Sequence, residues 1–143
     1  GVKNVNDSVY QPALDINVKV VYNQTYDLLY HSKIAVVTSG TASLECALFN
    51  VPQIVCYKTS SISYFIGKSF VNISFISLVN IILKKYVVKE LIQNDLIEKK
   101  LINELSNLLS GNRISDMLDE YSKIYSMLSI EGTSKKIATS IIS

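Results

Sequence analysis

The sequence Thr38-Ser39-Gly40-Thr41-Ala42-Ser43-Leu44-Glu45 joins an apolar run to a segment with apolar residues at helical spacing. The preceding run, residues 34–37, has the short apolar character of a buried parallel strand. Residues 44–49 predict a helix, and Asn50 and Pro52 predict its end. A strand that leads into a helix through a turn of small residues indicates an α/β fold.

The small residues at this junction predict an anion-binding turn, and we call Ser39-Gly40-Thr41 the anion turn. Backbone N–H groups and the positive end of a helix dipole make such a junction suitable for phosphate. Glu45 lies one helical turn beyond Thr41, where a carboxylate can accept hydrogen bonds from sugar hydroxyls. An anion site with a carboxylate one turn further along the helix fits a bound nucleotide, with the diphosphate at the turn and the sugar hydroxyls at Glu45. The alternatives are a plain helix cap at Ser39 or Thr41 and an ordinary acidic residue in a first turn, and a three-residue motif does not decide between them.

The composition is that of a globular domain and excludes several classes of protein. The chain has 143 residues, of which 48% are hydrophobic and 18% charged. A net charge of +2 with dispersed lysines does not predict a nucleic-acid interface, which needs a clustered basic face. Cys46 and Cys56 have neither metal nor redox spacing, so we expect buried free thiols. The absence of an initial Met leads us to expect a piece of a longer protein.

Alternation of strands and helices predicts a parallel sheet with right-handed crossovers. The predicted strands are residues 17–22, 34–37, 53–57 and 74–78. The predicted helices are residues 26–31, 44–49, 60–71, 87–93, 95–109, 113–128 and 134–142. We therefore predict a Rossmann-like domain over residues 1–96, followed by a helical tail over residues 97–143 that packs on the same domain. The apolar region 70–88 is interrupted by Asn, Ser and Lys, so it does not predict a membrane span, which needs about 20 nearly unbroken apolar residues.

Ligands of open parallel sheets bind at the carboxyl ends of the strands, where the segment after the predicted strand 74–78 contains Asn80. Asn80 is a lone amide among apolar residues, and its spacing favours a role in satisfying backbone groups or capping a helix. Glu90 and Gln93 are three residues apart on a predicted helix, and their spacing alone favours a solvated face.

Five segments together resemble lipid-A-disaccharide synthase in order and in gap length. They are residues 39–45 (SGTASLE), 51–57 (VPQIVCY), 64–66 (YFI), 76–80 (ISLVN) and 87–93 (VVKELIQ). The resemblance continues into the tail at Arg113, Met117, Tyr121 and Gly132-Thr133-Ser134. One departure is Val79, because the family usually has proline before the asparagine.

The resemblance implies one half of a two-Rossmann-domain (GT-B type) glycosyltransferase, with its active site in the cleft between the domains. Such an enzyme transfers 2,3-diacylglucosamine from UDP-2,3-diacylglucosamine to 2,3-diacylglucosamine 1-phosphate, and it releases UDP and the lipid A disaccharide. The resemblance implies no metal or organic cofactor and no nucleic-acid partner. It also implies peripheral contact with the cytoplasmic face of the inner membrane of a Gram-negative bacterium, and it is compatible with a homodimer.

By the same resemblance this chain is the C-terminal half, which holds the UDP donor. Ser39, Gly40 and Thr41 then face the diphosphate, Glu45 the ribose, and Asn80 the donor side of the cleft, with Glu90 and Gln93 as weaker assignments. The acceptor site and the general base belong to an N-terminal half, so we expect no catalytic residue here and at most weak UDP binding. A related enzyme such as a UDP-GlcNAc 2-epimerase and a non-catalytic α/β binding module remain alternatives.

Overall fold

The structure is a computed structural model that describes residues 6–38, 40–59 and 75–128. The chain divides into two compact units, Gly1–Ser32 and Lys33–Ser143. The predicted helices at residues 60–71 and 134–142 lie outside the described residues. None of the described helices has the length and apolar content required to cross a membrane.

The first unit contains short helical segments. They are a 3-10 helix at Asp7–Tyr10, α1 at Gln11–Leu14 and α2 at Thr25–His31. The predicted strand at residues 17–22 is wrong. Asn17 adopts a left-handed φ of 60°, and the Val18 N–H donates to the Ala13 carbonyl at 2.9 Å, so the chain here closes a helical turn. Alternating β-branched residues fit a pleated surface only beside a pairing partner, and no described strand pairs with this segment.

The second unit is built on a parallel sheet with the strand order β1-β2-β3. The strands are β1 at Ala35–Val37, β2 at Gln53–Tyr57 and β3 at Lys89–Ile92. Val36 of β1 is in register with Ile54 of β2, and Val55 of β2 is in register with Glu90 of β3. The predicted strands at residues 34–37 and 53–57 are confirmed. The first four residues of the central strand are buried, which explains its nearly continuous apolar sequence.

Two predicted elements beyond β2 are wrong. Residues 87–93 contain strand β3 instead of a helix, because buried Val87 and Val88 lead into a segment that pairs with the free edge of β2. The predicted strand at residues 74–78 is reduced to a single parallel bridge between Ser77 and Gly40. The hydroxyl of Ser77 accepts a hydrogen bond from the Asn80 N–H at 3.1 Å, so Ser77 caps a helix instead of continuing a strand.

Four α-helices complete the described part of the second unit. They are α3 at Thr41–Leu48, α4 at Leu78–Leu83, α5 at Glu98–Leu109 and α6 at Ile114–Leu128. The helix predicted at residues 95–109 begins later than expected, since Asp95 belongs to a 3-10 helix and α5 begins at Glu98. Gly111 has a φ of 83° and its N–H donates to the Leu108 carbonyl, which ends α5 as predicted. The predicted α/β class, with a parallel sheet followed by a helical tail, is confirmed.

One hydrophobic core joins the sheet to helices α3–α6. Its buried members include Ala47, Ile54, Val55, Val79, Val87, Val88, Leu91, Leu108, Met117, Tyr121 and Ile124. The core includes Leu108 of α5, and three partly buried leucines pack against it, namely Leu96, Leu101 and Leu105. Cys46 and Cys56 are buried free thiols, as expected. Because α3 shares this core with β2 and α6, packing determines the position of its first turn.

The register of the sheet provides a matched pair of core and edge substitutions. We expect Ile54→Ala to lower the free energy of unfolding by about 2–5 kcal/mol, because Ile54 is 0% exposed and the change leaves a cavity. Its register partner Val36 is 48% exposed, so Val36→Ala should lower that free energy by at most about 1 kcal/mol. Urea unfolding of both variants measures the two losses, and equal losses would contradict the assignment of β2 as the central strand.

Candidate functional site

The anion turn follows β1 and leads directly into α3. Gly40 is the N-cap residue of α3, with φ 67° and ψ −145°, a conformation that is essentially restricted to glycine. A Cβ atom at Gly40 would meet nothing within 4 Å, so the backbone angle, and not crowding, requires the glycine. Gly40 and Thr41 are exposed, and the glycine cap has no side chain to bond the first N–H groups of the helix. Among the described residues no side chain caps the positive end of α3, so the predicted binding of an anion there stays a prediction, and Ser39 lies outside the described residues.

Glu45 lies one turn into α3 and is partly buried. Among the described residues, its carboxylate has neither a hydrogen-bond donor nor an ion-pair partner. Burial, with a smaller contribution from the negative charge of Glu45, raises the pKa of the neighbouring Cys46 thiol to about 11. The carboxylate of Glu45 is thus available to a ligand, while the thiol beside it stays neutral and chemically inert at physiological pH.

Hydrogen bonds of Ser43 link Gly40 of the anion turn to Leu78 at the start of α4. Ser43 is fully buried, and its hydroxyl donates to the Gly40 carbonyl at 3.1 Å while it accepts from the Leu78 N–H at 3.1 Å. The bridge between Gly40 and Ser77 reinforces this link. Sequence reasoning missed Ser43 as a separate site residue. Its only local signal was a small polar residue inside an otherwise apolar first helical turn.

Glu90 holds the same segment from the side of β3. Its Oε2 accepts from the Ile76 N–H at 2.9 Å, and its Oε1 accepts from the Ser77 N–H at 2.9 Å and from Asn80 Nδ2 at 2.8 Å. Glu90 is only 9% exposed, so its predicted place on a solvated face is wrong. Hydrogen bonds to an ionised acceptor are among the stronger ones in proteins, and three of them satisfy this buried carboxylate.

Asn80 is fully buried beneath that segment. Its Oδ1 accepts from the N–H groups of Val87 and Val88 at 2.8 and 3.0 Å, and its Nδ2 donates to the Val88 carbonyl at 2.9 Å as well as to Glu90. These four bonds use the full hydrogen-bonding capacity of the amide. The prediction from spacing, that Asn80 satisfies backbone groups, is confirmed. Its assignment to the donor side of the cleft stays a prediction.

Gln93 belongs to a second cluster at the carboxyl ends of β2 and β3. Its Oε1 accepts from the Thr59 N–H at 3.0 Å, and its Nε2 donates to the Thr59 carbonyl at 3.1 Å. The side-chain amide of Gln93 therefore forms two hydrogen bonds to the backbone just beyond β2, as the backbone of a neighbouring strand would. The structure connects Asn80 and Glu90 to the anion turn through one network of hydrogen bonds, whereas Gln93 positions the neighbouring segment. Within the described part of the chain, no three His, Cys, Asp or Glu side chains are arranged to hold a metal ion.

Comparison with known proteins agrees with the resemblance seen in the sequence. The family model described as lipid-A-disaccharide synthetase matches residues 3–142. The chain belongs to the lipid-A-disaccharide synthetase family. Similar curated proteins, each named lipid-A-disaccharide synthase, come from Colwellia psychrerythraea (41% identical over 59 residues), Persephonella marina (39% over 71 residues) and Aquifex aeolicus (49% over 47 residues).

These alignments cover only part of each protein. They span 41%, 50% and 33% of this chain, and 15%, 19% and 13% of the three lipid-A-disaccharide synthases in the same order. Family membership therefore identifies the kind of domain to which the anion turn belongs. The ligand of Ser39, Gly40, Thr41, Glu45 and the neighbouring residues follows from chemistry and stays a prediction.

The three bonds accepted by Glu90 predict what its neutral isostere would do. Glu90→Gln replaces one acceptor oxygen by an N–H donor that would face backbone N–H groups. We expect the free energy of unfolding to fall by about 1–3 kcal/mol. Hydrogen exchange at the Ile76 and Ser77 amides should accelerate, which NMR of the labelled chain measures. The control is Glu98→Gln at an exposed position of α5, which should leave both amides protected. Unchanged exchange in Glu90→Gln would contradict the role of the carboxylate.

Proposed function

We propose that this chain is the donor-nucleotide half of a glycosyltransferase that makes the lipid A disaccharide. The reaction transfers 2,3-diacylglucosamine from UDP-2,3-diacylglucosamine to 2,3-diacylglucosamine 1-phosphate and releases UDP. The observation that carries the proposal is the N-terminus of α3, where a glycine cap leaves the first N–H groups without a side-chain partner among the described residues, and where the Glu45 carboxylate one turn further along has no described partner either. Membership in the lipid-A-disaccharide synthetase family supports the choice of substrates.

The anion turn would receive the diphosphate of the donor. The N–H groups at the start of α3 and the hydroxyls of Ser39 and Thr41 supply donors, and Gly40 allows the backbone to approach the phosphate. Negative charge grows on the diphosphate as the bond to the sugar breaks. Fixed donors and the helix dipole stabilise that charge in the transition state more than in the ground state, which accelerates departure of UDP.

Glu45 would accept hydrogen bonds from the ribose hydroxyls. It lies four residues after Thr41, so a rise of about 6 Å, slightly more than one helical turn, separates their positions along α3. A nucleoside diphosphate that places its phosphates at the helix tip extends its ribose towards this side chain. The backbone on either side would be held by Asn80, Glu90 and Gln93. The proposed reaction requires no metal or organic cofactor.

The acceptor site and the general base would lie on the opposite wall of the cleft, in an N-terminal Rossmann-like half. We assign no catalytic residue to this chain, which alone should not catalyse transfer. Residues 1–96 would form the nucleotide-sugar domain and residues 97–143 its supporting tail. The acylated substrates support peripheral contact with the cytoplasmic face of the inner membrane, and a homodimer is compatible with this arrangement.

Two glycines with positive φ allow a matched test of the anion turn. Gly40→Ala and Gly111→Ala both introduce a Cβ into open space at a strained backbone angle, with φ 67° and 83°. Each should lower the free energy of unfolding by about 1–3 kcal/mol. Only Gly40→Ala should weaken UDP binding, by about tenfold, because it displaces the N–H donors at the helix tip. Titration of UDP, followed by amide NMR shifts, compares the two variants. Equal UDP affinities would contradict binding at this turn.

A second titration separates the ribose from the diphosphate. We expect Glu45→Gln to weaken UDP binding by about tenfold, because ribose hydroxyls lose a charged acceptor. The same variant should bind inorganic pyrophosphate no more weakly than the parent chain, since pyrophosphate has no ribose. If UDP affinity is unchanged, the ribose assignment is wrong. If the parent chain shows no UDP-dependent shift at Gly40 or Thr41, the proposed donor site is wrong.

A further inference from the structure

A series of buried polar side chains connects α6 to the helix that carries the anion turn. Tyr121 of α6 is 1% exposed, and its hydroxyl accepts a hydrogen bond from Gln53 Nε2 at 3.0 Å. The same Nε2 donates to the Ser43 carbonyl at 2.8 Å. Gln53 and Ser43 are each 0% exposed. These three residues, the Ser43–Gln53–Tyr121 network, join elements that lie far apart in the sequence, since 68 residues separate Gln53 from Tyr121.

Ser43 is the point at which this network meets the anion turn. Its carbonyl is held by Gln53, while its hydroxyl donates to the Gly40 carbonyl and accepts from the Leu78 N–H. Both the backbone and the side chain of Ser43 are therefore engaged. A displacement of Ser43 would move Gly40 on one side and Leu78 on the other.

The hydrogen-bonding capacity of the groups allows one orientation of the Gln53 amide. The Ser43 carbonyl can only accept, so the amide must present Nε2 to it. Reversing the amide would place Oε1 against that carbonyl, where two acceptors meet, and the bond to Ser43 would be lost. Burial raises the pKa of Tyr121, so its hydroxyl stays neutral and accepts from Nε2. The remaining atom, Gln53 Oε1, is buried without a partner among the described residues. An apolar residue would avoid that unpaired oxygen, which suggests that the two Nε2 bonds serve a purpose beyond packing.

We propose that Gln53 and Tyr121 are positioning residues for the anion turn. Through Ser43 they keep Gly40 and Leu78 in the arrangement that receives the diphosphate of the donor. The ligand in this inference rests on the proposed function, whereas the coupling between α6 and the turn does not. A purely structural role in the core is the competing explanation.

Four variants of the chain separate positioning from core stability. They are Tyr121→Phe, Gln53→Met, the double variant that combines them, and Ile124→Val as a control. Ile124 is 0% exposed on the same helix and belongs to the hydrophobic core, so Ile124→Val weakens the attachment of α6 while every hydrogen-bonding group of the network is kept. Each variant is measured by its thermal unfolding midpoint, by hydrogen exchange at the Leu78 amide and by UDP titration.

The two explanations predict different patterns. Each single substitution within the network leaves a buried polar group without its partner, so the unfolding midpoint should fall, Leu78 should exchange faster, and UDP should bind about 3- to 10-fold more weakly. The double variant removes both polar groups, so its midpoint should return towards that of the parent. Its UDP affinity and Leu78 exchange should remain altered, because Ser43 is still released. Ile124→Val should lower the midpoint while UDP affinity stays within about twofold.

The inference is overturned if UDP affinity and Leu78 protection recover together with the midpoint in the double variant. It is also overturned if Ile124→Val weakens UDP binding as much as Tyr121→Phe does. A parent chain that fails to bind UDP contradicts the proposed function instead. In that case Leu78 exchange still decides whether Gln53 and Tyr121 position the turn.

Discussion

The arrangement of the candidate site depends on a carboxylate that is withdrawn from water. Glu90 lies on β3, and its charge must be compensated where it is buried. The compensating donors are two backbone N–H groups, of Ile76 and Ser77, and the Asn80 amide. These bonds determine the path of the chain before α4, and that path places the Leu78 N–H where the Ser43 hydroxyl accepts it. The conformation at Gly40 is thus supported by a charge two strands away in the sheet.

Local patterns were sufficient to predict β1, β2, α3 and the helical tail. An apolar run followed by small residues and helical spacing has one simple interpretation, and both strands are flanked by turn residues. The run that contains β3 was misread because a short apolar segment fits a strand or a helix equally well. This run forms a strand because it pairs with the free edge of β2. That edge lies too far away in the sequence to be seen in the residues around β3. The same limitation produced the false strand at residues 17–22, where the alternating pattern has no pairing partner among the described strands.

The residues of the candidate site differ in the same respect: some are identified by local sequence patterns, and others only by contacts between residues far apart in the sequence. Gly40, Thr41 and Glu45 could be proposed as site residues from the sequence because turn chemistry, helix polarity and i,i+4 spacing are local properties. Ser43, Gln53 and Tyr121 could not, since their significance lies in contacts between residues 10, 35 and 68 positions apart. The role of Asn80 could be predicted only in part from the sequence. Its spacing correctly predicted a structural amide, but not that its partners would include the carboxylate of Glu90.

The parallel sheet also determines when during folding the candidate site can exist. β2 and β3 pair across an intervening segment of more than 30 residues, and parallel neighbours cannot form through a tight hairpin. Closing such a segment costs chain entropy before the stabilising hydrogen bonds between β2 and β3 can form. Pairing of these strands is therefore slower than the formation of single helices. Glu90 reaches its place only with β3. A nascent or partly folded chain could therefore contain α3 with its glycine cap before the segment beside Gly40 is in place, so that the proposed ligand binding would be a late reporter of complete folding.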